Sequence, residues 1–217
     1  MEIDNFLTAG GIVAYPLLGA SIISVALIVE RLIFWGRVNR RQPRVARDIL
    51  RIYPNDPHVA VQRLRKQASL PIARIFLEAL ELDRPTAEEF RLALESAAQA
   101  EIPTLKRSST MFETIISIAP LLGLLGTILG LIASFSALQI GDVGGESTTV
   151  VTGGISEALV STVMGLVVAI FTLVFANLFR GFYQRQLALI QEYGGQLELL
   201  YRRYHEKGGQ PNYASTR

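Results

Sequence analysis

The amino-acid sequence predicts an all-α membrane protein, with three transmembrane helices joined to long cytoplasmic helical extensions. Three observations carry this expectation. Half of the 217 residues are hydrophobic, more than an ordinary soluble domain of this length uses. The apolar residues are bunched into three segments, about 12–35, 111–138 and 150–179. Each is long enough, at ~1.5 Å per residue, to cross a ~30 Å hydrocarbon core. The 21 Lys and Arg are spread unevenly: none precedes Arg31, and none lies between Ser108 and Phe179. Basic segments flanking spans stay on the cytoplasmic side. Residues 36–110 and 180–217 are therefore expected inside, and residues 1–11 and 139–149 outside. That arrangement needs an odd number of spans, which three satisfies.

Composition also excludes function classes. A net charge of only +2 implies no bulk attraction to nucleic acid. There is no cysteine, so disulfides, thiolate metal sites and cysteine nucleophiles are ruled out. His58 and His205 sit far apart in polar segments and make no metal-ligand spacing, so no metal or cofactor is expected. Gly123-Leu-Leu-Gly126 lacks the strand–turn–helix context of a dinucleotide site, and Gly145-Glu-Ser147 is not a nucleophile elbow. The chain is not expected to be an enzyme.

Taken in order, the first span, Ile12 to Trp35, carries no charge until Glu30-Arg31. It is preceded by Glu2 and Asp4 rather than by a basic region, so it is expected to be a retained span and not a cleaved signal. Tyr15 and Trp35 are placed to anchor its two ends at the interfaces. Residues 36–110 are expected to form a small helical domain, divided into short pieces by Pro43, Pro54, Pro57, Pro71, Pro85 and Pro103. Thr86-Ala-Glu-Glu89 has the form of a capping box. The helix it opens buries Phe90, Leu94, Ala97 and Leu105, with Pro103 a candidate kink. The second and third spans, 111–138 and 150–179, flank a short loop around Gln139–Thr148. After Arg180 a charged helical tail runs to about His205. Gln186, Leu189, Ile190, Leu197, Leu200 and Tyr201 allow packing, Gly194-Gly195 weaken it, and Gly208–Arg217 are expected to be disordered.

The second and third spans are not uniformly greasy. At ~100° per residue, Ala119, Gly123, Gly126, Thr127, Gly130, Ala133, Ser134 and Ala137 share one face of the second span. Leu121, Leu125, Ile128, Leu129 and Ile132 oppose them. On the third, Glu157, Ala158, Ser161, Thr162, Gly165, Ala169, Thr172 and Ala176 oppose Val160, Val163, Ile170, Phe171 and Val174. Small faces allow close helix packing, and Gly126, Gly130 and Ser134 make a small-xxx-small ladder. Packing does not account for Glu157, an acid about 10 Å inside the third span. Intramembrane acids usually face a bundle interior or water, so two readings stay open: a polar path, or a structural acid bonded to a neighbouring helix. Thr127 and Thr162 both come out about 16–18 Å below the outer surface, where their hydroxyls could meet. Hydroxyls order waters and relay protons but store no charge, so a carrier must be a carboxylate: Glu157 or one from a partner, with Glu113 at the inner boundary less suited.

These residues resemble a known family. Ala119-Pro-Leu-Leu-Gly-Leu-Leu-Gly-Thr-Ile-Leu-Gly130 is similar to the signature of the MotA/TolQ/ExbB proton channel family. Ile155-Ser-Glu-Ala-Leu-Val-Ser-Thr-Val-Met-Gly-Leu-Val-Val-Ala-Ile170, with Asn177, resembles its third-span signature. Gly10-Gly11, Tyr15-Pro16-Leu17, Ser21 and Glu30-Arg31 resemble ExbB-type members more than TolQ-type ones. The resemblance implies a multi-pass protein of the bacterial inner membrane that assembles as a pore-forming oligomer, a homopentamer. Its second and third spans would surround an ExbD-like or TolR-like dimer carrying the titrating aspartate, with work passed to a TonB-like or TolA-like protein. Thr127 and Thr162 match the family's pore threonines, Glu157 its third-span acid, and Pro120, Gly123, Gly126 and Gly165 motif and packing positions. Phe171 departs from the pattern, standing where many members have proline, and this weakens the assignment to a subfamily. The competing expectations are a TolQ-like subunit for envelope maintenance and a structural scaffold whose stripes only pack helices. A small secondary transporter would show internal repeats, which this chain lacks.

Overall fold

The computed structural model describes residues 10–139 and 146–209. All regular structure among them is helical: α1 Gly11–Ile52, α2 Pro57–Arg65, α3 Pro71–Leu80, α4 Ala87–Leu105, α5 Ser109–Gln139 and α6 Glu146–Gly209. Stretches of α1, α5 and α6 are long and apolar enough to cross a membrane. The protein is thus an all-α membrane protein with three such helices. The expected N-terminal segment up to residue 9, the loop residues 140–145 and the C-terminal residues 210–217 lie outside the described residues.

The chain divides into two compact units: Met1–Leu32 with Ser108–Phe179, and Ile33–Arg107 with Arg180–Arg217. In the first unit, Val13 and Leu17 of α1 form a core with Ala119 of α5 and Ala169 of α6, flanked by Leu122, Met164 and Val168. The side chains buried here are small, whereas Leu121, Ile128 and Ile132 of α5 and Val163, Ile170 and Val174 of α6 are exposed. A soluble protein would invert this pattern. It fits helices whose outer faces meet lipid tails or further subunits.

The second unit has a core of conventional size. Along α1 and the turn that ends it, Trp35, Val38, Gln42, Ala46, Ile49 and Tyr53 recur every three or four residues and are buried. Along α6, Gln186, Ile190, Tyr193, Leu197 and Tyr201 do the same. Both are one-sided helical stripes. Gln186 donates to Asn39 Oδ1 at 2.5 Å, which satisfies part of a polar layer between large apolar residues. The short helices start where the sequence says they should. Asp56 caps α2 by accepting from Val59 N at 3.0 Å, with Pro57 in the first turn, and Pro71 opens α3. The expected capping box is present: Glu89 N donates to Thr86 Oγ1 at 3.2 Å, and Thr86 N to Glu89 Oε2 at 2.7 Å. Phe90, Leu94, Ala97 and Leu105 are buried as expected, and Phe90 stacks on Tyr201 with ring centroids 4.0 Å apart. Arg74 and Glu101 form a two-pronged pair at 2.6 Å.

Three expectations are corrected. Pro43 does not divide the chain: α1 runs through it to Ile52. A helical proline forfeits one donor and costs about 3 kcal/mol, which the apolar stripe from Trp35 to Tyr53 offsets. Pro103 likewise lies inside α4. Trp35 is no interface anchor. It is 1% exposed, because it falls on the inward stripe and packs against Phe34 and Phe182 at 5.3 and 6.0 Å. Tyr15, by contrast, is exposed.

Burial, followed by the nearby Tyr201 and Tyr204, pushes the Tyr53 phenol from its ordinary 10.0 up to about 12. The folded state therefore keeps the proton that the unfolded chain gives up. Stability from this group is complete below pH 10 and is lost as pH rises toward 12. A phenolate absorbance titration should show a late-titrating tyrosine component that shrinks in Tyr53→Phe, leaving the contribution of Tyr201, whose phenol burial also pushes up. The same variant should lose less stability than wild type over that alkaline window.

Candidate functional site

The site is built on a close approach of α5 and α6. A methyl group on Gly165 would lie 2.5 Å from the carbonyl oxygen of Ala119, and one on Gly130 2.6 Å from that of Gly154. One on Gly123 would lie 3.0 Å from the carbonyl oxygen of Ser161. On Gly126 it would meet the Ser161 side chain, whose Cβ is 2.5 Å away. No side chain larger than hydrogen fits these positions without a shift of the facing helix or side chain, so the sequence-expected packing residues Gly123, Gly126, Gly130 and Gly165 all lie in the contact. Pro120, the other, is half-buried within α5.

Close backbones bring hydroxyls onto the opposite helix. Thr127 and Thr162 are hydrogen-bonded to each other. Thr127 Oγ1 is also 3.2 Å from Gly123 O and 3.3 Å from Ala158 O, and Thr162 Oγ1 is 3.3 Å from Gly123 O. Ser161 reaches the same Gly123 carbonyl at 3.3 Å and Ala158 O at 2.9 Å. Three hydroxyls thus converge on one carbonyl at the point where the backbones nearly touch. Further toward the start of α6, Ser134 Oγ lies within hydrogen-bonding distance of Gly130 O at 3.0 Å and, across the helix pair, of Val151 O at 3.1 Å.

Counting donors shows what the threonine pair can do. Each hydroxyl has one proton to give and two lone pairs. One proton lies between the two oxygens and the other is directed at a carbonyl, so the donors are used within the chain while lone pairs remain. Both threonines are only half-buried. An incoming protonated acid can donate to this pair directly. An incoming carboxylate can be bound only if a hydroxyl leaves its carbonyl.

Glu157, expected with the threonines, points elsewhere. Its carboxylate lies against Gly11, the first residue of α1, with Cδ 2.5 Å from where a Gly11 Cβ would be. Glu113 is exposed at the other end of α5. Sequence reasoning missed a second hydroxyl pair, Ser24 with Thr172 at 2.7 Å, both buried. Ser24 shares the buried stripe of α1 with Leu17, Ile28 and Arg31, but that spacing alone names no partner 148 residues away.

With this geometry in hand the comparisons are specific. Residues 67–192, which span α5 and the hydroxyl-bearing part of α6, match the MotA/TolQ/ExbB proton channel family. The chain belongs to this family. It is 59% identical over 209 residues, 96% of this chain and the whole of the relative, to a Synechocystis sp. protein named as ExbB-like biopolymer transport protein 3. It is 39% identical to the ExbB-like 1 protein of the same organism, over 96% of this chain and 82% of the relative. A shorter match, 36% identical over 80 residues, covers 36% of this chain and 33% of the Tol-Pal system protein TolQ of Haemophilus influenzae. The family is one of membrane transport proteins and not of enzymes.

Gly165→Ala should lower the thermal stability of the purified protein in lipid nanodiscs by about 1–3 kcal/mol, the usual cost of overpacking. Gly153, where an added methyl would meet no atom within 4 Å, is the matched control. Gly153→Ala should be neutral or gain up to ~1 kcal/mol from helix propensity.

Proposed function

We propose that this chain is the channel-forming subunit of an inner-membrane complex that converts proton-motive force into work on the outer membrane. In this reading residues 1–11 and the loop near 139–149 face the periplasm, and the charged unit faces the cytoplasm. The sign of the flanking charge supports that orientation. The chain assembles as a homopentamer, with α5 and α6 around an ExbD-like dimer that supplies the titrating carboxylate and engages a TonB-like protein. The extended match to ExbB-like proteins along nearly the whole chain favours this role over a TolQ-like one in envelope maintenance.

The single observation that carries the reading is the Thr127–Thr162 pair. It has spent its donors internally and kept its lone pairs, on helices whose small faces are otherwise closed. Such a pair offers a docking point for a protonated acid inside the membrane, and discriminates it from the charged form. A scaffold that only packs helices would need the glycines but not two half-buried hydroxyls in contact.

Thr162→Val keeps the shape and removes the hydroxyl. It should leave oligomer assembly unchanged while lowering proton-driven transport at least about tenfold, the effect of ~1.4 kcal/mol on a barrier. Wild-type transport in this variant would leave the scaffold reading standing.

A further inference from the structure

Gly11 is the first residue of α1 and has φ +64, a left-handed conformation that favours glycine. The space that a side chain would occupy on it is filled by the Glu157 carboxylate: Oε1 overlaps the Cβ position, with Cδ at 2.5 Å and Cγ at 3.1 Å. The acid of α6 therefore rests on the amino end of α1, where first-turn amides have no helical acceptor and the helix dipole favours negative charge. Immediately after that turn come Val13, Ala14 and Leu17, all buried. Val13 and Leu17 form the core with Ala119 and Ala169, and Val13 Cβ is 3.5 Å from a methyl position on Gly126, the residue before Thr127.

We propose that Glu157 is a positioning residue and not the proton carrier. Its carboxylate holds the amino end of α1, and α1 in turn backs the α5–α6 contact that sets the threonine pair. The glycine at position 11 is required twice, for its φ and for the room it leaves the acid. The consequence for the threonine pair rests on the function proposed above, whereas the Gly11–Glu157 contact does not.

Hydrogen–deuterium exchange of the assembled full-length protein in nanodiscs tests the contact, with proton flux measured on the same samples. Glu157→Ala should raise exchange of the first turns of α1 about tenfold, because the charge and the polar side chain that fills the space beside Gly11 are lost together, and leave the middle of α5 protected. Gly11→Ala should do the same. The double variant should be no worse than Gly11→Ala alone, because both remove one interaction. Glu157→Gln retains Oε1 and the shape, and should keep α1 protected within about threefold and proton flux near wild type. Unchanged exchange in both Glu157→Ala and Gly11→Ala would overturn the proposal. So would a Glu157→Gln protein with α1 protected but no proton flux, which would make the acid a carrier. If wild type itself conducts no protons, the channel reading fails while the exchange arm still decides the contact.

Discussion

The first unit depends on how closely the backbones of α5 and α6 approach each other. In lipid there is no hydrophobic gain in bringing two greasy helices together, because the tails are as apolar as leucine. Association must come from packing and from polar contacts. Glycine at 123, 130, 154 and 165 removes the side chains that would hold the backbones apart. Once they are close, serine and threonine hydroxyls reach carbonyls on the facing helix, as Thr127 does with Ala158 O and Ser134 with Val151 O. The glycines and the hydroxyls are one device: the first creates the distance at which the second can bond.

The same helix obeys different physics along its length. The buried stripe of α6 begins with Ala158, Ser161, Ala169 and Thr172 and continues as Phe179, Gln186, Ile190, Tyr193, Leu197 and Tyr201. Its spacing stays helical throughout, but side-chain size changes. Among apolar surroundings, small residues gain contact by letting backbones approach. Among charged residues such as Arg74, Glu101 and Arg202, removing large apolar area from water is the stronger term, at ~25 cal/mol per Å2. The change from small to aromatic core residues along one continuous helix follows the change of solvent.

Much of this was legible in the sequence, because it rests on local pattern. Three apolar segments, the Thr86–Glu89 box and the small faces of the second and third spans each depend on residues a few positions apart. Depth counting placed Thr127 and Thr162 level, and they do touch. The misses involve competition or partners. A proline rule cannot weigh the cost of Pro43 against the stripe of buried residues from Trp35 to Tyr53 in the same stretch of chain. An interface rule for tryptophan cannot see that Trp35 falls on the inward face. The Ser24–Thr172 pair and the contact of Glu157 with Gly11 join residues from opposite ends of the sequence, and no local period reports on such pairs.

The separation of the acid from the threonines matters for the proposed mechanism. A carboxylate at the threonine pair within this chain would compete with any acid arriving from a partner, and two like charges at close range cannot both ionise easily. With Glu157 directed to the end of α1, the Thr127–Thr162 pair presents only uncharged oxygen lone pairs. It can receive a neutral acid without a fixed charge to hold it there, so binding and release stay nearly balanced. On the proposed reading, that balance is what a carrier needs if it is to pass many subunits in turn without being trapped at one.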